Sequence, residues 1–203
     1  NSDASNSTFT GQLERATMEG RNKILGFWLF LGAETVLFGT LFAAYLGLRH
    51  QVLDGPPPSE LFQLPFVALM TSVLLVSSLT SVLAVQAMHR NDVPAMQRWL
   101  IVTVLLGATF LGLEIYEFNH YVHLGHTFTT SAFSSSFYTL VGFHGAHVVI
   151  GIVWISLVIA QIPRKGLNKV TAPKVYIASL YWHYIDVIWV FIFSLVYLLG
   201  RVG

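Results

Sequence analysis

A chain of 203 residues that is 54% hydrophobic and only 10% charged, with a mean hydropathy of +0.64, is not built to be surrounded by water. A soluble domain carries about a quarter charged residues, and this much apolar sequence cannot be hidden inside a globule of this length. The net charge of +1 says little by itself and no nucleic-acid partner is expected, while the absence of cysteine excludes disulfides, thiolate metal sites and cysteine nucleophiles.

Residues 1–22 read as a polar N-terminal tail that opens on the low-complexity run Asn1 to Thr8. No cleavable signal peptide is expected, because the first apolar run is too long for an h-region. Residues 23–203 then read as one membrane domain. A bilayer core of roughly 30 Å needs about 20 apolar residues in a helix. Five segments qualify: Ile24–Leu48, Leu64–Met88, Trp99–Val122, Ala132–Ile162 and Val175–Gly200. Between the first two, Asp54-Gly55-Pro56-Pro57-Pro58 denies backbone donors and stops any helix. His89 to Pro94 forms a short polar hairpin before the third span, and Pro163 to Lys174 separates the last two. The fold class is therefore all-α, a polytopic bundle of five transmembrane helices.

Basic residues stay cytoplasmic. With the N-terminus inside, Arg15, Arg21, Lys23, Arg90, Arg98, Arg164, Lys165, Lys169 and Lys174 lie on the cytoplasmic side, against Arg49 and Arg201 outside. Nine against two predicts a cytoplasmic N-terminus and an external C-terminus. The loop from Asn119 to Ser131 then faces outward. Its His120, His123 and His126 have a spacing that suits a metal, but no carboxylate is spaced to help, and a wettable helix end is the preferred reading.

Ionisable groups inside the spans carry the most information, because each is costly in lipid and needs a partner, a cavity or an interface. They are Glu34, Glu114, Glu117, His144, His147, His183 and Asp186. Six form i, i+3 pairs, and residues three apart share a helix side. The third, fourth and fifth spans thus each carry one polar stripe, expected to turn inward. The rise of about 1.5 Å per residue puts Glu34, His183 and Asp186 near mid-membrane, with His147 at a similar level and His144, Glu114 and Glu117 further out. His183 and Asp186 are expected to satisfy each other, while Glu34 has no evident partner beyond Thr35 or another helix.

Three chemistries compete with simple hydrogen-bonded glue between helices. A di-iron site needs Glu-x-x-His on two helices, whereas the pairs here are Glu-x-x-Glu, His-x-x-His and His-x-x-Asp. A transporter with an inverted repeat should show broken helices, and five spans do not divide into halves. A docking subunit, with buried groups that tie helices and hold lipid head groups, fits best. Trp28, Trp99 and Trp182 fall near predicted cytoplasmic ends, where amphipathic rings favour the head-group zone; Trp154 and Trp189 read as packing residues. Small residues (Gly32, Ala33, Gly39, Ala43, Ala44 and Gly47; Gly107, Ala108 and Gly112) predict close helix approach.

Four stretches, each on its own span, resemble one family. Gly26-Phe27-Trp28-Leu29-Phe30-Leu31-Gly32-Ala33-Glu34-Thr35-Val36-Leu37-Phe38 and Phe110-Leu111-Gly112-Leu113-Glu114-Ile115-Tyr116-Glu117-Phe118 are similar to short bacterial subunit III proteins of haem-copper cytochrome oxidases. So are Gly142-Phe143-His144-Gly145-Ala146-His147-Val148 and, most diagnostic, Tyr181-Trp182-His183-Tyr184-Ile185-Asp186-Val187-Ile188-Trp189. The resemblance spans about Glu19 to Gly203. It implies a multi-pass subunit in the bacterial plasma membrane that has no cofactor of its own, the haem and copper residing in partner subunits. It implies contact with subunit I above all, then with subunit II and a small subunit IV. Bound phospholipid, support of proton uptake and protection against inactivation in turnover are further implications.

Glu34 falls where the family carries a buried carboxylate that reacts with a hydrophobic carbodiimide. Glu117, His144, His147, His183 and Asp186 fall on its recurrent polar positions, and Glu114 and Trp182 lie inside the matching motifs. Many members have two further helices before these five, and that pair forms one arm of a lipid cleft. The cleft here is then absent, smaller or completed by another subunit. Similarity to members from endospore-forming bacteria favours cytochrome c as electron donor. A quinol oxidase subunit is the alternative, and an independent membrane carrier or metal enzyme is the rival class.

Overall fold

The computed structural model describes residues 13–48, 64–123 and 132–198. Among them every regular element is helical, and five helices are long and apolar enough to cross a membrane. They are α1 (Met18–Leu48), α2 (Leu64–His89), α3 (Val93–His123), α4 (Ala132–Lys165) and α5 (Thr171–Ile192). A single 3₁₀ turn, Leu13–Arg15, precedes α1. The proline-rich segment expected after α1 lies outside the described residues, as do His126, Arg49 and Arg201.

Helix ends follow local chemistry. Thr17 caps α1, its hydroxyl accepting the Gly20 N–H at 3.0 Å, so the helix starts well before the first apolar residue, Ile24. The expected hairpin between α2 and α3 shrinks to one tight turn. Asn91 adopts φ 57°, and Asp92 accepts the Ala95 N–H at 3.3 Å to start α3. Pro65, Pro94 and Pro173 all sit in first turns, where a missing N–H costs nothing. Pro163 is tolerated inside the last turn of α4, which ends at Gly166 with φ 69° and a Gly166 N–H to Ile162 carbonyl bond of 2.8 Å. Helix α5 tightens no further at its far end; it passes into a six-residue π-helical segment, Phe193–Leu198.

α2 and α3 pair along their length as an antiparallel hairpin, and α5 lies against α1, α2 and α4 at once. The core is accordingly centred on α5. Trp182, Trp189, Phe110 and Phe137 are fully buried in it, and Tyr45, Met70 and Leu74 close it from α1 and α2. α1 packs on α4 and α5 by one edge only.

Candidate functional site: a polar seam between the helices

Hydroxyls on α2 face the rings on α5. The Trp182 indole N–H donates to Ser77 Oγ at 2.9 Å, and the Trp189 indole N–H donates to Thr71 Oγ1 at 2.9 Å. Ser78 Oγ lies 2.6 Å from His183 Nδ1, and Ser81 Oγ lies 2.7 Å from Ser179 Oγ. Thr80 Oγ1 and Thr103 Oγ1 meet at 2.8 Å and tie α2 to α3 as well. Each indole or imidazole would otherwise be a buried unpaired polar group in an apolar medium, at a cost of about 1–3 kcal/mol.

These serines and threonines are the residues that motif reading missed. Their spacing along α2 (Thr71, Ser77, Ser78, Thr80 and Ser81) is the signal that was available: a hydroxyl-bearing stripe on a helix without one charged group in its interior.

Trp182 is 0% exposed, which corrects its expected place in the head-group zone. Depth counted from the helix start ignores which way a side chain faces. Two glycines make room for the indole. A Cβ on Gly107 would sit 2.5 Å from Trp182 Cη2, and one on Gly151 would sit 3.1 Å from Trp182 Cε3. Trp189 packs edge-on against Phe110 at 4.9 Å and lies 5.2 Å from the His144 ring. Trp154 is half-buried beside Phe27 and Tyr181. Trp28 and Trp99 remain exposed on the bundle surface.

The i, i+3 pairs do not act as pairs. His183 is bonded to Ser78, and the same hydroxyl lies beside the buried Asp186 carboxyl, whose oxygens have no well-formed hydrogen bond. Glu117 accepts the Tyr121 hydroxyl at 2.5 Å; Glu114 instead faces α4, its Oε1 2.8 Å from where a Cβ on Gly145 would stand, and neither of its oxygens has a hydrogen-bond partner. His144 Nε2 meets the Ile185 carbonyl of α5 at 3.1 Å, and His147 Nδ1 meets the Phe143 carbonyl at 2.7 Å. Residues three apart on a helix differ by about 60° in direction, enough to send neighbours in one stripe to different helices. The stripes do turn inward, as expected.

Glu34 acquires the partner that its own helix lacks. Its Oε2 is 2.7 Å from His147 Nε2 on α4, and both side chains are only slightly exposed. A carbonyl can only accept, so Nδ1 of His147 carries a proton and Nε2 is left to share one with Glu34. Nearby, the Tyr181 hydroxyl donates to the His147 carbonyl at 3.0 Å, and Thr35 Oγ1 meets the Tyr184 hydroxyl at 3.2 Å. Thr35 is thus occupied by Tyr184 and by the Leu31 carbonyl rather than by Glu34. Glu34 with His147 and Thr35 with Tyr184 are thus polar links between α1 and the rest of the bundle.

At the α1 start, Glu14 Oε1 and His89 Nε2 are 3.1 Å apart, and the Glu14 side chain is buried inside the segment read as a tail. His120 and His123 fall in the last turn of α3. Among the described residues no group of three histidine, aspartate or glutamate side chains converges as a metal would require.

The family model described as cytochrome c oxidase subunit III matches residues 2–201. The chain is 61% identical over 197 residues to the cytochrome c oxidase subunit 3 of Bacillus sp. (strain PS3), covering 97% of this chain and 95% of that relative. It is 57% identical over 197 residues to the corresponding subunit of Bacillus subtilis (strain 168), with the same coverage. The quinol oxidase subunit 3 of Bacillus subtilis (strain 168) is more distant, at 50% over 191 residues and 94% of each chain. The chain belongs to the cytochrome c oxidase subunit III family, whose members hold no redox centre: it is a multi-pass membrane subunit of the oxidase and is not itself catalytic.

Proposed function

We propose that this chain docks on the oxygen-reducing subunit I of a proton-pumping haem-copper oxidase in the plasma membrane, with subunit II and a small subunit IV as further neighbours. Its N-terminus and residues 1–22 lie in the cytoplasm and its C-terminus lies outside. Residues 23–203 form the membrane domain, which binds phospholipid and sustains proton uptake by its partner. The nine-to-two distribution of basic residues supports this orientation.

The use of the inward-facing histidines carries the docking reading. His147 spends both ring nitrogens on Glu34 and the Phe143 carbonyl, His144 spends Nε2 on α5, and His183 spends Nδ1 on α2. Ring nitrogens committed in this way, between helices or along α4 itself, are not gathered as ligands. The unpaired outer side of α1 is the surface best suited to a neighbouring subunit. Glu34 is the group best placed to influence proton movement, since it shares a proton position with His147 at the edge of the bundle.

The test is purification of the whole oxidase followed by selective removal of this chain. Haem and copper should stay with the remaining subunits, and the initial rate of oxygen consumption should persist while the enzyme inactivates faster in turnover. Haem, iron, copper or zinc bound one-to-one by the separated chain would overturn the reading.

A further inference from the structure

One strip of α5 is left uncovered by the other helices of this chain. Tyr184 and Phe191 turn to Thr35 and Phe42 of α1, while Trp182 and Trp189 turn to Ser77 and Thr71 of α2. At about 100° per residue, Leu180, His183, Val187 and Val190 project between those two sides. Val187 and Val190 are 52% and 41% exposed, and Leu180 and His183 are half-buried. Helices α1 and α2 flank α5 but scarcely touch each other among the described residues, so the strip is the floor of a groove. We propose that one transmembrane helix of another oxidase subunit seats in this groove and meets His183 Nε2 with a hydroxyl, carboxyl or carboxamide side chain at mid-membrane. This seat deepens the docking reading proposed above and rests on it.

The open ring nitrogen calls for an occupant that can hydrogen-bond. Ser78 takes His183 Nδ1 at 2.6 Å, and Nε2 has no hydrogen-bond partner among the described residues. The ring lies twelve residues beyond Thr171, the start of α5, roughly 18 Å along the helix and inside the hydrocarbon rather than at its edge. An unpartnered imidazole nitrogen is costly there, and an acyl chain offers it nothing. Trp182, Trp189 and Ser179 are each met by a hydroxyl of α2, which leaves His183 Nε2 as the polar atom turned outward.

The walls have the form that a helix needs. Thr35 and Phe42 of α1 face α5, and Glu34 faces α4. Gly32 and Gly39 lie on the side of α1 turned away from α4, seven residues apart, and a Cβ on either would meet nothing within 4 Å. Open glycines at that spacing let a partner backbone approach closely. On the opposite wall, Leu75 and Val82 of α2 lie to either side of Ser78, also seven apart, and both are exposed. Floor residues spaced three, four and three along α5 complete the pattern that receives the side chains of a packed helix. Apolar walls with one hydrogen-bonding point on the floor fix both the depth and the rotation of the helix that enters.

The whole oxidase, carrying photoreactive p-benzoylphenylalanine in place of Val187, tests this. Irradiation should join position 187 to one transmembrane segment of a partner subunit. Peptide mass spectrometry should find a hydroxyl, carboxyl or carboxamide side chain within one turn of the crosslink. Val187→Trp and Gly39→Leu, which fill the groove from its floor and its wall, should each speed loss of this subunit during detergent washing about tenfold. Thermal unfolding of the separated chain should stay at the wild-type temperature in both. A crosslink only to lipid, one to a second copy of this chain, a wholly apolar partner segment, or wild-type retention of both variants would each overturn the proposal. Partner subunits that co-purify while position 187 crosslinks none of them would sink this inference and leave the docking reading standing.

Discussion

Helices α1 and α5 look alike as hydropathy profiles and behave as opposites in the bundle. The best 18-residue window of α1 has the higher mean hydropathy, 1.7 against 1.4, yet only 22% of it is buried within the chain, against 61% for α5. In water the more apolar helix would be the inner one. In lipid, apolar side chains gain nothing by moving inward, so the helix that carries rings with N–H groups, a histidine and an aspartate becomes the core. α5 is central because α2 meets Trp182, His183 and Trp189 and α4 meets Tyr181; α1 is peripheral because its inward polar contacts are sparse, chiefly Glu34 with His147 and Thr35 with Tyr184.

That contrast can be broken most severely at Trp182. Trp182→Ala removes a fully buried ring and leaves Ser77 with one bond fewer, and should cost about 3–5 kcal/mol. Thermal unfolding of the complex in detergent should show early loss of this subunit. Trp28→Ala on the exposed side of α1 should stay within about 0.5 kcal/mol of wild type by the same measurement. Equal losses would remove the distinction between the two helices.

The glycines sharpen it next. Gly107→Ala drives a Cβ against Trp182 and should destabilise by about 1–3 kcal/mol. Gly39→Ala has nothing within 4 Å in this chain, so thermal stability of the separated subunit should not change. Any effect of Gly39→Leu should appear as loss of partner subunits on size-exclusion chromatography.

An effect no larger than that of Gly107→Ala separates the two readings of His183. Ser78→Ala should cost about 1–3 kcal/mol by leaving the ring unpaired, read as a lowered unfolding temperature. Asp186→Asn should move the His183 proton resonances less than Ser78→Ala does, since Ser78, not Asp186, contacts the ring. A shift as large as that in Ser78→Ala would restore the pairing with Asp186. The mildest change is expected at α1: Glu34→Gln keeps a hydrogen-bonding group opposite His147 and touches no redox centre, so the initial rate of oxygen consumption should be nearly unchanged. A tenfold fall would place Glu34 in the electron-coupled chemistry itself.

Much of this was legible before any coordinates. Length and apolar content gave five helices close to their observed positions, since a span must satisfy its backbone internally and needs about 20 residues to cross. The i, i+3 spacing showed that Glu114, Glu117, His144, His183 and Asp186 share inward sides. What failed was partner assignment. Spacing reports neighbours on one helix, whereas His183 is claimed by Ser78, 105 residues away, and Glu34 by His147, 113 residues away. The small residues divide: Gly107 receives a neighbour closely, whereas Gly32, Gly39, Gly47 and Gly112 meet nothing within 4 Å inside this chain.

The sequence by itself determined the membrane class, the number of helices, the grouping of basic residues at one end and the list of costly groups, because each depends on transfer from water and on periodicity along one segment. Only the tertiary structure decided that α5 is the core, that α2 supplies the hydroxyls, and that Trp182 rests between Gly107 and Gly151. Those outcomes depend on how helices rotate about their axes against one another. In lipid that rotation is set by close packing and by which polar atoms meet, and neither quantity is written along a single helix.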